Sequence, residues 1–512
     1  MDNSQTKIIS KLKDSATYAM LILLLSIMAF VYTFNSKLGY LSDCVRYYLV
    51  GQSVAAGGGF TQIWDVMQQP DGLSSPLYPL LIALLSLTLT GSIFIIKSIN
   101  GLFLFGSVVI FFYYYRKMKF NNLSVFIILL PFIFNYWVLK HSSIMLTEIP
   151  FIFLSGMGLL LLSRSKDGSD LKDFSWWGAL FFAVSAYYMR SIGIALAAAI
   201  VMDELLKKRW NRAAVSTMFF SIAFLPWIIR GMNLSGQTHF KIISMLNPLS
   251  PGGEKAGIFD IVERIVINLL NYISVYVPAS MIPAFQQFYG GESIIGWITG
   301  LLLTAGLIYG FIRLKFKKRV VGLYLLFYMM ILLIFPSVYT GQRFLLPLLP
   351  LLYPLLFTGI RSVQEYYKLP PKVSIGFMIF LGVINLFSIK SLEVETSKPL
   401  LSQWNGYFET AKWANKNLPE DAVIAVRVGE EFYLHSLRRT LAFPFIGNPV
   451  EFQVYLDFHK ATHIVSDDLD YPLTDMKNRT MPFLKPVMEK HPESFNEVYR
   501  SKGGETLLFE IL

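Results

Sequence analysis

Residues 98–119 read SINGLFLFGSVVIFFYYYRKMK, an apolar run that ends in a cluster of basic residues. An apolar helix of about 20 residues crosses the hydrocarbon core of a bilayer. Lys and Arg concentrate in the cytoplasmic connections of membrane proteins, so the cluster at 116–119 marks the inner end of this span. The same unit, an apolar run next to a basic cluster, recurs along most of the chain. It predicts an α-helical polytopic membrane protein.

The composition excludes an ordinary soluble protein and gives no support for nucleic-acid binding. Of the 512 residues, 54% are hydrophobic and 15% are charged, whereas soluble domains have about 25% charged residues. The net charge of +11 comes largely from Lys and Arg in short clusters between apolar runs, where they orient the chain in the membrane. The single cysteine, Cys44, excludes an intrachain disulfide.

About eleven spanning helices are predicted from apolar runs of near-bilayer length. They are 16–35, 98–115, 123–139, 149–163, 175–189, 192–206, 213–229, 293–312, 320–337, 344–360 and 373–389. Basic residues occur in the N-terminal tail and in alternate connections, at 116–119, 164–172, 207–212, 313–319 and 361–372. Because the other connections are poor in Lys and Arg, the N-terminus is expected in the cytoplasm and the C-terminus outside.

Two domains are expected, a transmembrane domain at 1–389 and a small soluble extracytoplasmic α/β domain at 390–512. The transmembrane domain has outer loops at 35–100 and 230–290, and the apolar stretch 76–89 is interpreted as a helix in the outer interface. The soluble domain is predicted to have helices at 404–417, 430–437 and 450–460, and strands at 422–428, 440–445, 462–466, 497–500 and 506–511.

Two acidic residues lie in consecutive outer loops, where ionisable groups near the membrane are costly and often functional. Asp43 follows the first span and is a candidate general base toward a hydroxyl, with a helix N-cap as the alternative. Glu148 precedes Pro150 and opens a predicted span, where the helix dipole favours an acid. The two carboxylates are also candidates to share a hydroxyl acceptor or a metal ion.

Three arginines, Arg190, Arg230 and Arg343, lie at predicted outer ends of helices, where the charge rule disfavours them. A planar guanidinium binds two phosphate oxygens at once, so these residues are candidates for a phosphate site. A snorkelling anchor at the membrane interface is the alternative, most of all for Arg230.

Five motifs follow one another along the chain: Asp43 with Tyr47 in the first outer loop, SPLYPLL at 75–81, Glu148 in the second outer loop, RFLLPLLP at 343–350 and AKWANKNLP at 411–419. In these motifs the sequence resembles the GT-C superfamily of glycosyltransferases that use polyprenyl-phosphate sugars, in particular the protein O-mannosyltransferase and aminoarabinose transferase branch. The order and sidedness of the motifs extend over nearly the whole chain. Cys44 is a departure, because many relatives have a second acid at this position.

The resemblance implies an enzyme that transfers a sugar from a polyprenyl-phosphate donor to an acceptor hydroxyl on the extracytoplasmic face, with inversion. It implies Asp43 as the base, Arg343 and Arg190 as ligands of the donor phosphate, and Glu148 as a residue that orients the acceptor or holds a divalent metal. The expected acceptor is a glycan, a glycolipid or a protein, and the expected location is the bacterial inner (cytoplasmic) membrane. Further donor or acceptor contacts are expected from Arg46, Tyr47, Lys140 and His141.

Three other functions stay open at the level of sequence. A transporter or lipid flippase is disfavoured because no internal repeat is visible and the charges gather at the outer ends of the helices. A polymerase or ligase of surface polysaccharide would share a lipid-linked donor but use a pyrophosphate carrier. A non-catalytic assembly protein is the third alternative.

Overall fold

The computed structural model describes residues 3–35, 42–166, 168, 170–234, 238–248, 254–290, 293–314, 319–370, 372–398, 402–469 and 480–512. Part of the first outer loop, at 36–41, and part of the basic cluster at 313–319 lie outside the described residues. The α-helices are α1 (Asn3–Thr33), α2 (Ser42–Ala55), α3 (Leu77–Thr88), α4 (Ile93–Lys117), α5 (Asn122–Ile133), α6 (Tyr136–Ser142), α7 (Glu148–Leu162), α8 (Phe174–Met189), α9 (Ile194–Leu206), α10 (Trp210–Asn233), α11 (His239–Ser244), α12 (Ile258–Asn271), α13 (Val277–Met281), α14 (Ile294–Arg313), α15 (Arg319–Ile334), α16 (Leu349–Tyr366), α17 (Val373–Ser397), α18 (Ser402–Asn417), α19 (Gly429–Ser436), α20 (Pro449–Phe458) and α21 (Met481–Lys490). The strands are β1 (Val423–Val426), β2 (Arg439–Ala442), β3 (His463–Asp467), β4 (Phe495–Arg500) and β5 (Thr506–Ile511).

The chain forms two compact units. The helical unit comprises Met1–Lys37, Ser75–Tyr78 and Ser92–Ser397. The mixed unit comprises Leu38–Ser74, Pro79–Gly91 and Lys398–Leu512. The mixed unit therefore combines most of the first outer loop with the C-terminal residues.

Each of the eleven apolar runs is largely helical, and the protein is an integral membrane protein. In the described chain, 6 helices are long and apolar enough to cross a membrane, or up to 7 if α5 and α6 form one bent span. The remaining predicted spans coincide with α7, α8, α9 and α15, which have 15, 16, 13 and 16 residues. Because these helices are shorter than a usual span, the count of eleven is not confirmed.

The bend between α5 and α6 is stabilised by a buried asparagine. The two helices meet at 68°, and Asn135 at the break accepts hydrogen bonds from the backbone of Trp137 and Val138 at 3.0 and 3.2 Å. Its amide nitrogen donates to the carbonyl of Ser280 at 2.8 Å. A break in a helix pair is tolerated where side chains satisfy the exposed backbone groups, and Asn135 does so here.

Glycine permits the close contact between α14 and α16. A Cβ atom on Gly310 would lie 1.8 Å from the carbonyl oxygen of Leu355, and one on Gly359 would lie 2.2 Å from the carbonyl oxygen of Gly306. Small residues let helix backbones approach closely in membranes, where packing drives association. Helix α16 follows directly on the segment Gln342–Leu348, which carries Arg343.

The mixed unit has a five-stranded sheet of described strands in the order β2-β1-β3-β5-β4. Strands β2, β1 and β3 are parallel, whereas β5 pairs antiparallel with β3 and β4. Successive side chains of β1 point to opposite faces, and both faces are covered. Trp404, Tyr407 and Phe432 of α18 and α19 pack on one face, and α20 and α21 pack on the other, with core residues including Phe452, Leu456 and Leu484.

The first outer loop extends this sheet beyond its β2 edge. The backbone nitrogen of Thr440 donates to the carbonyl of Trp64 at 2.7 Å, and the nitrogen of Val66 donates to the carbonyl of Thr440 at 3.0 Å. These bonds pair residues 64–66 with an edge strand, whose backbone groups would otherwise lack partners. The predicted helices and strands of the C-terminal region are confirmed as elements, and α21 is an element that the sequence patterns missed.

Candidate functional site

The helical unit brings together three of the predicted site residues. Glu148 is fully buried, and its Oε1 lies 2.6 Å from Nη1 of Arg190 and 3.1 Å from Nε of Arg343. The side chains of Arg190 and Arg343 are 11% and 28% exposed. We call these three residues the Glu148 cluster. It has one buried carboxylate and two guanidinium groups, so its net charge is positive when all three are ionised.

Glu148 is the first residue of α7. Proline is tolerated in the first turn of a helix, where no intrahelical N–H partner is lost, and Pro150 occupies that turn. Thr147, just before α7, accepts a hydrogen bond on its hydroxyl from Nη1 of Arg190 at 3.1 Å. The second carboxylate oxygen of Glu148, Oε2, is buried and has no hydrogen-bond partner among the described residues.

Arg190 is positioned by a tight turn between two helices. It follows α8 in an extended conformation (φ −150°, ψ 131°) and precedes a 3₁₀ turn at Ser191–Gly193. A Cβ atom on Gly193 would lie 2.5 Å from the backbone of Ala186 and Tyr187. The turn therefore packs against α8 in a way that only glycine permits, and the arginine is held at the end of α8.

Arg343 lies on a 3₁₀ helix, Gln342–Leu348, that leads into α16. The next residue, Phe344, presents its ring to both arginines of the cluster. The guanidinium carbons of Arg190 and Arg343 lie 5.6 and 5.4 Å from the ring centroid, within the range of cation–π contact. Phe344 was not predicted as a site residue from the sequence. Its position next to Arg343 in the RFLLPLLP motif could have indicated such a role.

In the mixed unit, Asp43, Arg46 and Tyr47 all lie on α2, and each side chain is partly buried. The helix begins at Ser42, so Asp43 lies in its first turn rather than at the N-cap. Arg46 donates from Nη2 and Nε to Oε1 of Glu430 at 2.6 and 3.2 Å. Burial lowers the pKa of Arg46, but the carboxylates of Glu430, Asp71 and Asp43 outweigh this effect and raise it overall.

Glu430 and Glu431, in the first turn of α19, were not identified from the sequence as site residues. Both residues are buried. Burial and the neighbouring charge of Glu430 raise the pKa of Glu431 to about 8. Neither oxygen of Glu431 has a hydrogen-bond partner in another described residue. No local pattern indicates the pairing with Arg46, because 384 positions separate Arg46 from Glu430.

The remaining predicted contacts lie on α6 and α10. Lys140 pairs with Glu395 of α17 at 2.8 Å, and His141 Nδ1 lies 2.8 Å from the carbonyl oxygen of Trp137. His141 is close enough to Glu148 to interact with it electrostatically. Arg230 lies 4.6 Å from the ring centroid of Trp227, a contact consistent with an interfacial anchor.

The described residues contain no group of three or more His, Cys, Asp or Glu that is arranged to hold a metal ion. In the Glu148 cluster, the partners of the carboxylate are two cations. A metal at Glu148 therefore stays a prediction, and no role described below depends on one.

Three solved structures resemble this chain in fold. The oligosaccharyltransferase of Archaeoglobus fulgidus in its apo form aligns with a TM-score of 0.57 and 12% identity over 88% of this chain and 69% of its own. ArnT from Cupriavidus metallidurans in the apo state aligns with a TM-score of 0.52 and 11% identity, over 96% of this chain and 98% of the ArnT chain. The arabinofuranosyltransferase AftD from Mycobacteria aligns with a TM-score of 0.50 and 12% identity over 97% of this chain and 40% of its own. No family model and no curated protein matches the chain by sequence. The chain therefore shares the overall fold of these three proteins, in agreement with the fold that the resemblance to the GT-C superfamily implied.

Proposed function

We propose that this GT-C-fold protein is a glycosyltransferase that moves a sugar from a polyprenyl-phosphate carrier to an acceptor hydroxyl outside the cytoplasm. The observation that carries the proposal is the Glu148 cluster, where two arginines are held by one buried carboxylate. Fixed guanidinium groups in a site poor in water stabilise an oxyanion more strongly than mobile ones do. The departing polyprenyl phosphate is such an oxyanion, and Arg343 and Arg190 are its proposed ligands.

The arginines differ in their expected contributions. Arg343 is 28% exposed and Arg190 is 11% exposed, so Arg343 is the more accessible to a phosphate. Arg190 is tied to both Glu148 and Thr147. We assign Arg343 the main contact with phosphate oxygens and Arg190 a supporting charge.

Glu148 is proposed to have two roles in the reaction. Its Oε1 keeps the arginines together, and Oε2 is a buried acceptor without a donor among the described residues. A buried carboxylate oxygen without a donor is energetically costly. A donor group of the acceptor other than the reacting hydroxyl would remove this cost by binding Oε2, and it would orient the acceptor at the same time.

Asp43 is the proposed general base. The acceptor oxygen attacks the anomeric carbon, the bond from that carbon to the phosphate oxygen breaks, and the hydroxyl proton passes to the Asp43 carboxylate. The sugar inverts because the nucleophile approaches opposite the leaving group, the stereochemistry that inverting glycosidases also use. We also propose that four further residues contact the donor or the acceptor, namely Arg46, Tyr47, Lys140 and His141.

The proposed location is the bacterial inner membrane, with the N-terminus in the cytoplasm and the C-terminal residues outside. The alternation of basic connections supports this orientation. The division into a transmembrane domain at 1–389 and a soluble domain at 390–512 belongs to the same proposal. The acceptor is a glycan, a glycolipid or a protein.

The test is a transfer assay on the full-length protein in lipid vesicles. A panel of radiolabelled polyprenyl-phosphate monosaccharides is supplied with membrane glycan, glycolipid and peptide acceptors, and label is followed from lipid to acceptor. Replacing Asp43 by Asn should lower transfer about 100-fold or more, since general base catalysis contributes at least that factor. Asp65→Asn, an isosteric change in the same loop, is the matched control and should retain activity.

The outcomes separate the candidate functions. Transfer of label from lipid to acceptor that requires Asp43 supports the proposal. Movement of the intact lipid across the vesicle membrane without transfer would instead indicate a flippase. Full activity in Asp43→Asn would remove Asp43 from the mechanism.

A further inference from the structure

The mixed unit joins α2 of the first outer loop to α19 of the C-terminal residues by an ion pair. Arg46 Nη2 lies 2.6 Å from Glu430 Oε1, and the side chains are 22% and 11% exposed. Two nitrogens of one guanidinium donate to the same oxygen, which fixes both its distance and its plane. Breaking a largely buried pair leaves an uncompensated charge, so this contact strongly constrains Arg46.

Apolar packing fixes α2 in the same place. Val45, Leu49 and Val50 form a buried cluster with Trp64, and Tyr433 of α19 packs against it. The guanidinium of Arg46 also lies 5.9 Å from the centroid of the Trp64 ring. Arg46 is therefore held by Glu430, by the ring of Trp64 and by the buried face of its own helix.

Asp43 lies on the same helix as Arg46, three residues earlier. Residues three apart are neighbours on a helix surface, and the Asp43 carboxylate contributes to the raised pKa of Arg46. Arg46 therefore has a direct ion pair with Glu430 and a weaker electrostatic interaction with Asp43. The other charged groups around it are Asp71 of the same loop and Glu431 of α19.

We propose that Glu430 is a positioning residue that acts through Arg46 on the base Asp43. By binding Nε and Nη2 of Arg46, Glu430 draws the positive charge toward α19. Asp43 then experiences less of this charge and stays basic enough to accept a proton from the acceptor hydroxyl. The inference rests on the proposed role of Asp43, and it assigns the C-terminal residues a part in catalysis that extends beyond folding.

Two substitutions should shift the acid limb of the pH profile of kcat/KM in opposite directions. In Glu430→Gln, the charge of Arg46 is less neutralised, so the pKa of Asp43 should fall and the limb should move to lower pH by about one unit. In Arg46→Met, the positive charge is removed and the limb should move to higher pH. A role limited to stability would not produce opposite shifts.

A matched control breaks another buried ion pair in the same unit. Arg427 and Asp467 lie 2.9 Å apart and are 7% and 0% exposed, and neither is on α2. Asp467→Asn should lower thermal stability but leave the acid limb where it is. A shift of the limb in this control that matches Glu430→Gln would overturn the inference.

The single cysteine supplies a readout that does not depend on activity. Cys44 is fully buried next to Asp43, so its alkylation by N-ethylmaleimide reports how firmly α2 is held. Glu430→Gln should be alkylated about tenfold faster than the wild type, because a charge-assisted contact that opposes local opening is lost. An unchanged alkylation rate together with an unmoved acid limb would overturn the inference.

The two proposals fail in different ways. A wild-type protein that transfers no sugar from any donor would overturn the proposed function, and the role of Glu430 in catalysis with it. Transfer that requires Asp43, but whose acid limb is unmoved by Glu430→Gln and Arg46→Met, would overturn only the present inference.

Discussion

We expect Glu148→Gln to destabilise the helical unit strongly, although it hardly changes the shape of the side chain. Glu148 is 0% exposed and is the shared partner of Arg190 and Arg343. Glutamine keeps the volume and one oxygen acceptor, but it removes the negative charge between two cations. Removing one partner of a buried pair costs about 3–5 kcal/mol. Because Arg343 is 28% exposed and can turn toward water, the expected loss is near the lower end, about 3 kcal/mol.

The measurement is the free energy of unfolding in mixed micelles, followed by circular dichroism as denaturing detergent is added. A loss of about 3 kcal/mol raises the unfolding equilibrium constant about 100-fold. Glu365→Gln is the matched control, because Glu365 pairs with Arg361 and the two side chains are 55% and 54% exposed, and exposed pairs contribute about 0–1 kcal/mol. If Glu148→Gln cost no more than Glu365→Gln, the reasoning about the buried cluster would be wrong.

Two further changes test packing and titration. Gly310→Val should prevent the contact between α14 and α16, because a Cβ atom at position 310 would lie 1.8 Å from the carbonyl oxygen of Leu355. Gly376→Ala is the control, since a Cβ atom at position 376 would have no atom within 4 Å. For both variants, size-exclusion chromatography measures the fraction of protein that elutes as folded. Burial raises the pKa of Glu431 to about 8, so the stability that its protonated form contributes is complete below the unfolded pKa and is lost as pH rises through about 8. Thermal unfolding from pH 5 to 9 should show this loss in the wild type and not in Glu431→Gln, and parallel curves would refute it.

The sequence was sufficient for most elements but not for every boundary. Apolar periodicity and strand alternation located the spans and the C-terminal strands, since these patterns record which faces are buried. Helix α21 was missed because Pro482 and Pro486 lie within it, and proline usually signals the end of a helix. The bend at Asn135 was missed because the run at 123–139 has the length of a single span, although Pro131 and Asn135 lie within it.

The sequence predicted most residues of the candidate site, but only some of the ion pairs that these residues form. Charge at the outer ends of helices pointed to Glu148, Arg190 and Arg343, and the structure brings these three together. Which carboxylate would pair with Arg46 was not predictable, because Glu430 is 384 positions away and its helix looks like an ordinary surface helix with acids in its first turn. Such a pairing is decided by tertiary packing, which a single sequence does not display.

The mixed unit shows why the loop and the C-terminal residues depend on each other. Residues 64–66 supply backbone partners to the edge strand β2, and an edge strand without partners is prone to pair with other chains. The same loop gives α2 its contact with α19, through the Val45 cluster and the Arg46–Glu430 ion pair. A truncation after residue 398 would leave Arg46 and the apolar face of α2 without these partners. We therefore expect such a protein to lose the order of its first outer loop, and with it the environment of Asp43, even if all the spanning helices insert.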